Sequence, residues 1–274
     1  MDIRKAPAAR GKNWLLEGSD LFARAVISFL LFGLLIQMLT LLMVVPFIGA
    51  LFVLVLPALI AGALDASRQL DSRKPVQLST FFGFLARPAE RRSLLTLGLF
   101  NLLIGVLASL ILASSLGALS DGNLLELMQS GDPELLVNLD LSPLFNFLML
   151  LAIVIGLVTA LNFFAVPLVA FRQAPPLQAM LTSFRACLVN WASMLVYGLG
   201  VMVLFVVVGL LLILIATMSV MLFGDSTVAS QVLTLLTIPI LIAIQMILLC
   251  AQYLAYRDIF GGEPVDSPGD QLLA

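Results

Sequence analysis

Six apolar stretches dominate this sequence, at approximately 25–45, 50–66, 94–116, 144–169, 195–222 and 232–255, most of them at or above the roughly 20 residues a helix needs to cross a bilayer. A chain of 274 residues cannot bury them all in one interior, so lipid must solvate much of it. Composition agrees, with 61% hydrophobic and 11% charged residues, where soluble domains carry about 25% charged. The first run continues to Val45, beyond the roughly 7 to 15 apolar residues of a signal peptide, and predicts a retained span. Pro46 and Gly49 in "VVPFIG" separate the first two runs with a turn. The second is short and contains Pro57, which predicts a bend or a helix leaning on its neighbours.

The charges test this division. All 14 Lys and Arg residues fall before the first span, between the second and third, between the fourth and fifth, or at the end of the sixth. The three other connections hold Asp121, Glu126, Asp132, Glu134, Asp140 and Asp225 and no basic residue. The positive-inside rule then places both termini in the cytoplasm and, in a Gram-negative cell, the acidic side in the periplasm. The carboxylates from Asp121 to Asp140 lack the dense spacing of a calcium loop and are expected to be solvated. The expected fold is an all-α polytopic membrane protein with about six transmembrane helices and cytoplasmic interfacial amphipathic helices.

A repeat at an offset of 100 residues pairs Pro75 with Pro175, Phe84 with Phe184, Ser93 with Ser193, Leu95 with Leu195 and Gly98 with Gly198. In the second copy Leu177, Met180, Leu181, Phe184, Cys187, Leu188 and Trp191 recur at helical spacing, which predicts an amphipathic helix on the membrane face. Leu78, Phe81, Phe82 and Leu85 predict a counterpart before Pro88. Trp14, Leu15, Gly18, Leu21 and Phe22 repeat the device at the N-terminus. One membrane domain, 1–274, is thus expected to contain three units at 10–66, 76–170 and 176–258, each an interfacial helix followed by a hairpin, with a flexible tail at 261–274. Each hairpin returns to an arginine, Arg68, Arg172 or Arg257. Trp14, Trp191, Tyr253, Tyr256 and Arg257 are expected as interface anchors, with Asp258 paired to a basic residue.

"RGKNWLLEG", "SFRACLVNWASMLVYG" and "YLAYRDIF" resemble, in order and over nearly the whole chain, the recurring segments of the BPSS1780-type family of uncharacterised proteobacterial integral membrane proteins. The resemblance implies an inner-membrane protein of about this length. It brings no catalytic or ligand-binding residues.

The residues themselves offer little chemistry. The chain has no histidine, which removes the commonest metal ligand and the usual general base and argues against haem, zinc-hydrolase and Ser-His reactions. Cys187 and Cys250 form no C-x-x-C pair and read as buried small hydrophobes. No ionisable residue sits near the centre of a span, where proton relays and many transport sites place one. Among the uncharged polar residues, Asn101, Asn162 and Gln245 are the candidates for lining a groove, and most others read as interhelical hydrogen-bond partners. Rows of small residues, Ala58–Gly62–Ala66 and Gly105–Ser109–Ala113–Gly117, predict close helix packing within the chain or between copies. The favoured function is a non-catalytic inner-membrane protein with a structural, assembly or regulatory role, and the alternative is a permease or exporter for an apolar or amphiphilic compound. Membrane lipids and a membrane-protein partner or second copy are the expected partners; no cofactor, metal or nucleic acid is expected.

Overall fold

Trp14 dictates how the chain begins. The computed structural model describes residues 2–120, 142–223 and 226–261, in which every regular element is helical. Helix α1 (Arg10–Ala23) buries Gly11, Trp14, Gly18, Leu21 and Phe22 along one stripe, as an amphipathic helix does. Its last turn tightens, with the Arg24 and Ala25 N–H groups reaching the Leu21 and Phe22 carbonyls. The chain then bends by 100° into α2 (Val26–Leu41), so α1 lies across the direction of the first span. A 3-10 turn at Leu42–Val44 extends α2 to about 30 Å, the thickness of a hydrocarbon core.

Helix α3 runs from Pro46 to Asp71, 26 residues, and corrects the short second span predicted at 50–66. Proline is tolerated in the first turn, where its missing N–H has no partner to lose, and Pro57 does not end the helix. A 3-10 segment (Leu78–Phe82) and the single turn α4 (Gly83–Ala86) stand where one continuous amphipathic helix was expected. The remaining elements are α5 (Pro88–Ser120), α6 (Ser142–Asn162), α7 (Ala165–Arg172), α8 (Pro176–Val189), α9 (Trp191–Phe223) and α10 (Ser226–Phe260). Five segments are individually long and apolar enough to span a bilayer, α6 and α7 counting together as Leu144–Arg172, and the number rises to six when the bent α1–α2 pair is counted as one span. The chain is an all-α polytopic membrane protein. The acidic connection at 121–141, Asp225 and the tail after Gly261 lie outside the described residues.

The ends of the first two hairpins share an uncommon conformation. Arg73 (φ 56°) and Gln173 (φ 52°) are both left-handed, 100 positions apart like Pro75 and Pro175. Each follows a helix whose terminal carbonyls are recaptured, Gln69 by the Lys74 N–H and Leu168 by the Ala174 N–H. Beyond those turns, each interfacial segment packs on the hairpin before it: 78–86 on α3, and α8 on α6 and α7. Helix α1 packs on the last hairpin, α9 and α10. The sequence therefore closes on itself.

Small residues set the closest approaches. Ala58 and Ala66 are fully buried, and a Cβ on Gly62 would stand 1.9 Å from the Phe81 carbonyl oxygen. On α5, a Cβ on Gly98 would lie 2.3 Å from the Leu54 carbonyl. The row Gly105, Ser109 and Ala113 has no such role within the chain. A Cβ on Gly105 would meet nothing within 4 Å, the Ser109 hydroxyl folds back onto the Val106 carbonyl, and Ala113 is exposed. Equal spacing on two helices thus has two outcomes, because only one row has backbone opposite it.

Burial is concentrated toward one end of the bundle, around Trp14, Phe29, Phe32, Phe81, Phe84 and Phe164. Leu107, Leu110, Leu210, Ile213 and Leu214 on the far halves of α5 and α9 point outward, where only lipid can solvate them. Helix α8 obeys the same division at smaller scale. It packs inward through Ala179, Met180, Ser183 and Ala186, while Leu177, Leu181 and Leu188 are exposed.

Candidate functional site

Two polar regions stand out against this hydrocarbon background. At the well-packed end, Asp258 near the end of α10 accepts hydrogen bonds from Arg10 Nε at 2.8 Å and from the Trp14 indole at 2.9 Å. Arg10 also donates to Glu17 at 2.7 Å. Glu17 in turn lies 3.6 Å from Arg257, whose Nη1 donates to both Asp71 oxygens at 3.0 and 2.9 Å. Tyr253 completes the chain by donating its hydroxyl to Asp71 at 3.0 Å. Burial disfavours the Arg10 charge, but Glu17 and Asp258 outweigh it through hydrogen bonds and attraction, and the pKa of Arg10 rises. The linked groups join α1, α3 and α10.

Each arginine that closes a hairpin reaches toward another hairpin. Arg68 pairs with Asp65 at 2.7 Å and lies over the Phe171 ring, 4.7 Å from its centroid. Arg172 donates to the Tyr256 hydroxyl at 3.3 Å, to the Phe260 carbonyl and to the Gly261 carbonyl at 3.0 Å. Arg257 returns to Asp71 on the first hairpin. The N-terminal segment is strapped alongside: Asn190 accepts from the Ala6 N–H at 2.7 Å and donates to the Arg4 carbonyl, and Ser193 donates to the Ala6 carbonyl.

Most of the expected interface anchors are therefore interior. Trp14 has no exposed surface, and Tyr253 and Tyr256 are each 5% exposed. Their polar tips are taken by Asp258, Asp71 and Arg172, a use that a membrane interface would also invite, so composition does not separate the two. Arg257 is an ion-pair hub. Trp191, at 65% exposure, alone among these aromatic residues faces outward. Asp71, Asn190 and Ser183 carry no distinguishing signal in the sequence, Ser193 figures there only as the repeat partner of Ser93, and Asp71 falls outside the shorter second span.

The second polar region lies at the break between α6 and α7. There the Ser183 hydroxyl accepts from the Phe164 N–H at 2.9 Å and donates to the Ala160 carbonyl at 2.7 Å, while Gln252 donates to the Phe163 carbonyl. These contacts satisfy backbone groups that the broken helix leaves open. Beside the break, Asn101, Thr159, Asn162 and Gln252 line a cavity of about 410 Å³ with Pro57 and Ile60. Gln245 lines a neighbouring cavity of about 350 Å³ with Tyr197. Phe163 and Gln252 border both. Asn101 and Asn162 thus come together, and Gln245 stands apart. The carboxamide oxygens of Asn101 and Asn162 are buried without a hydrogen-bond partner. Cys187 and Cys250 are free thiols, engaged with the Ala160 carbonyl and the Ser67 hydroxyl respectively.

Across known proteins, the whole chain is similar to a Burkholderia thailandensis protein described as a "Probable inner membrane protein", with 32% identity over 284 residues covering 98% of that protein. No family model matches the chain, and no solved structure matches it.

Proposed function

The chain belongs to the family of the Burkholderia thailandensis probable inner membrane protein, and we propose that within the inner membrane it has a non-catalytic structural, assembly or regulatory role. One observation carries this reading: the charged side chains around α1, α3 and α10 are engaged with one another as architecture. Asp258, Arg10, Glu17, Arg257 and Asp71 form one linked series, and Asp65 holds Arg68. A general acid or base needs a proton-bearing group facing a substrate space. The two cavities beside the α6–α7 break instead present amides, a threonine, a tyrosine and hydrocarbon. The assignment to the BPSS1780-type group rests on the three quoted segments, and the cytoplasmic location of both termini on the segregation of the basic residues. The outward row Gly105, Ser109 and Ala113 and the exposed leucines of α8 suit lipid or a membrane partner, including a second copy.

A permease or exporter for an apolar or amphiphilic compound is the second reading, favoured by the cavities that Asn101, Asn162 and Gln245 line. Reconstituted protein separates the two. With ion gradients imposed across proteoliposomes, the first reading expects no saturable flux of candidate amphiphiles and no hydrolase or redox turnover. Saturable flux that disappears in Asn162→Leu or Gln245→Leu protein of unchanged assembly would overturn it.

A further inference from the structure

Asn101 on α5 and Asn162 at the end of α6 face a shared space inside the bundle, beside Pro57 of α3 and Gln252 of α10. Both carboxamide oxygens are buried and unpaired. Such a group costs most where water cannot reach it, and native proteins leave few of them. The orientation of Asn162 follows from its partner, since its amide nitrogen donates to the Val158 carbonyl at 3.0 Å. Reversing the carboxamide would set oxygen against oxygen, so Oδ1 is the acceptor left over.

The space beside these atoms is too large for a single water. Its volume of about 410 Å³ compares with roughly 30 Å³ for a water molecule in the liquid and falls in the range of small-molecule sites. Val53, Leu56, Ile60, Val158 and Val166 supply most of the wall, and no Asp, Glu, Lys or Arg lines it. A charged head would have no counterion there. Gly105, exposed on α5, forms part of the rim, so the space communicates with the lipid-facing flank.

From this geometry we infer that the cavity is a binding site for an uncharged amphiphile with a hydroxyl head, whose O–H donates a hydrogen bond to Oδ1 of Asn101 or of Asn162 while its apolar tail follows the wall toward lipid. The inference goes beyond the structural role proposed above and does not depend on it. A ligand held there bridges α3, α5 and α6, so occupancy would set how closely those helices stand.

The test compares two photoreactive probes on the full chain in phosphatidylcholine nanodiscs: a diazirine-bearing hexadecanol and its O-methyl ether, which lacks the donor. Crosslinked peptides are identified by mass spectrometry. The alcohol is expected to label the cavity-lining parts of α3, α5 and α6 about tenfold more than the ether, as suits one hydrogen bond to a buried acceptor. Asn101→Leu with Asn162→Leu should reduce that ratio to about one. Gly105→Leu, whose side chain enters open space, should lower cavity labelling by both probes and supplies the answer if the double variant does not fold. Equal labelling by the two probes, or labelling by the alcohol that persists in Gly105→Leu protein, would overturn the inference and leave water as the partner of the two oxygens. The flux measurement separates the two questions: labelling without saturable flux keeps the structural role, and saturable flux overturns that role whatever the labelling ratio.

Discussion

Replacing Gly62 by alanine should destabilise the protein even though alanine is the better helix former. The added Cβ would lie 1.9 Å from the Phe81 oxygen, 2.5 Å from its carbonyl carbon and 2.8 Å from its Cα, all backbone atoms. Ordinary contact begins at 3.4 Å, so the 3-10 segment must retreat by about 1.5 Å, the difference between 3.4 and 1.9. Phe81 cannot move alone. Its ring stacks on Phe32 at 4.2 Å between centroids and meets Phe29 edge-on at 5.6 Å, and all three are fully buried. Overpacking of this kind costs about 1–3 kcal/mol, with a backbone clash at the upper end, against about 1 kcal/mol gained from helix propensity. The net loss is about 2 kcal/mol. At about 2–4 °C per kcal/mol for a chain of this size, the melting temperature should fall by about 4–8 °C. The assay is thermal unfolding in detergent, followed by tryptophan fluorescence from the buried Trp14. Gly209→Ala is the control, because its Cβ meets nothing within 4 Å, and it should melt at or slightly above the parent temperature. A Gly62→Ala protein that melts as high as the Gly209→Ala protein would refute the packing argument.

The other expectations concern charge, thiol chemistry and topology. Asp258→Asn removes the anion shared by Arg10 and Trp14; with both charged partners part-exposed, the loss should be about 1–2 kcal/mol, and an unchanged melting curve would count against the linked series as a fastener. Burial pushes the Cys187 thiol up to about 12, so alkylation in detergent at pH 8 should run about a thousandfold slower than for a free thiol and rise tenfold per pH unit; rapid, pH-independent labelling would refute its burial. Because unfolding restores an ordinary thiol of 9.0, the same shift lowers stability as pH climbs from about 9 toward 12. In a background lacking Cys187 and Cys250, Met128→Cys should react with an impermeant reagent from outside and Ser267→Cys only after permeabilisation; external labelling at 267 would overturn the orientation.

The spans were legible because lipid imposes a one-dimensional rule: apolar residues for about 30 Å, then charge. Helix ends obeyed it less well. Asp65, Arg68 and Asp71 look like the exit of a short span, yet α3 continues through all three because Arg257 and Tyr253 hold Asp71 inside the packed end. Trp14, Tyr253 and Tyr256 have the composition of interface anchors, and only their distant partners reveal them as interior. The Gly62 and Gly105 rows are equivalent as patterns, and the difference lies in what the rest of the chain sets opposite them. For the candidate cavity, Asn101 and Asn162 could be chosen as polar residues in apolar runs. That they share a space, and that Gln252 and Phe163 divide it from Gln245, follows from the break in α6–α7, for which the one local signal is Pro167, whose missing N–H leaves the Phe163 carbonyl to Gln252.

Helix α1 is made first and completed last. Its partners Asp258 and Ile259 follow Arg10 and Arg4 by almost the full chain, 248 residues in the case of Arg10 and Asp258. At bacterial elongation rates of up to about 20 residues per second, Trp14 and Arg10 wait roughly 12 s or more after synthesis before the α10 end exists to receive them. Until α9 and α10 are made, the apolar stripe of α1 lacks its main protein partners and has the membrane surface to rest on. A ribosome that stalls before α9 thus leaves the first two hairpins inserted but the first helix without its main partners, a difference displayed at the membrane surface.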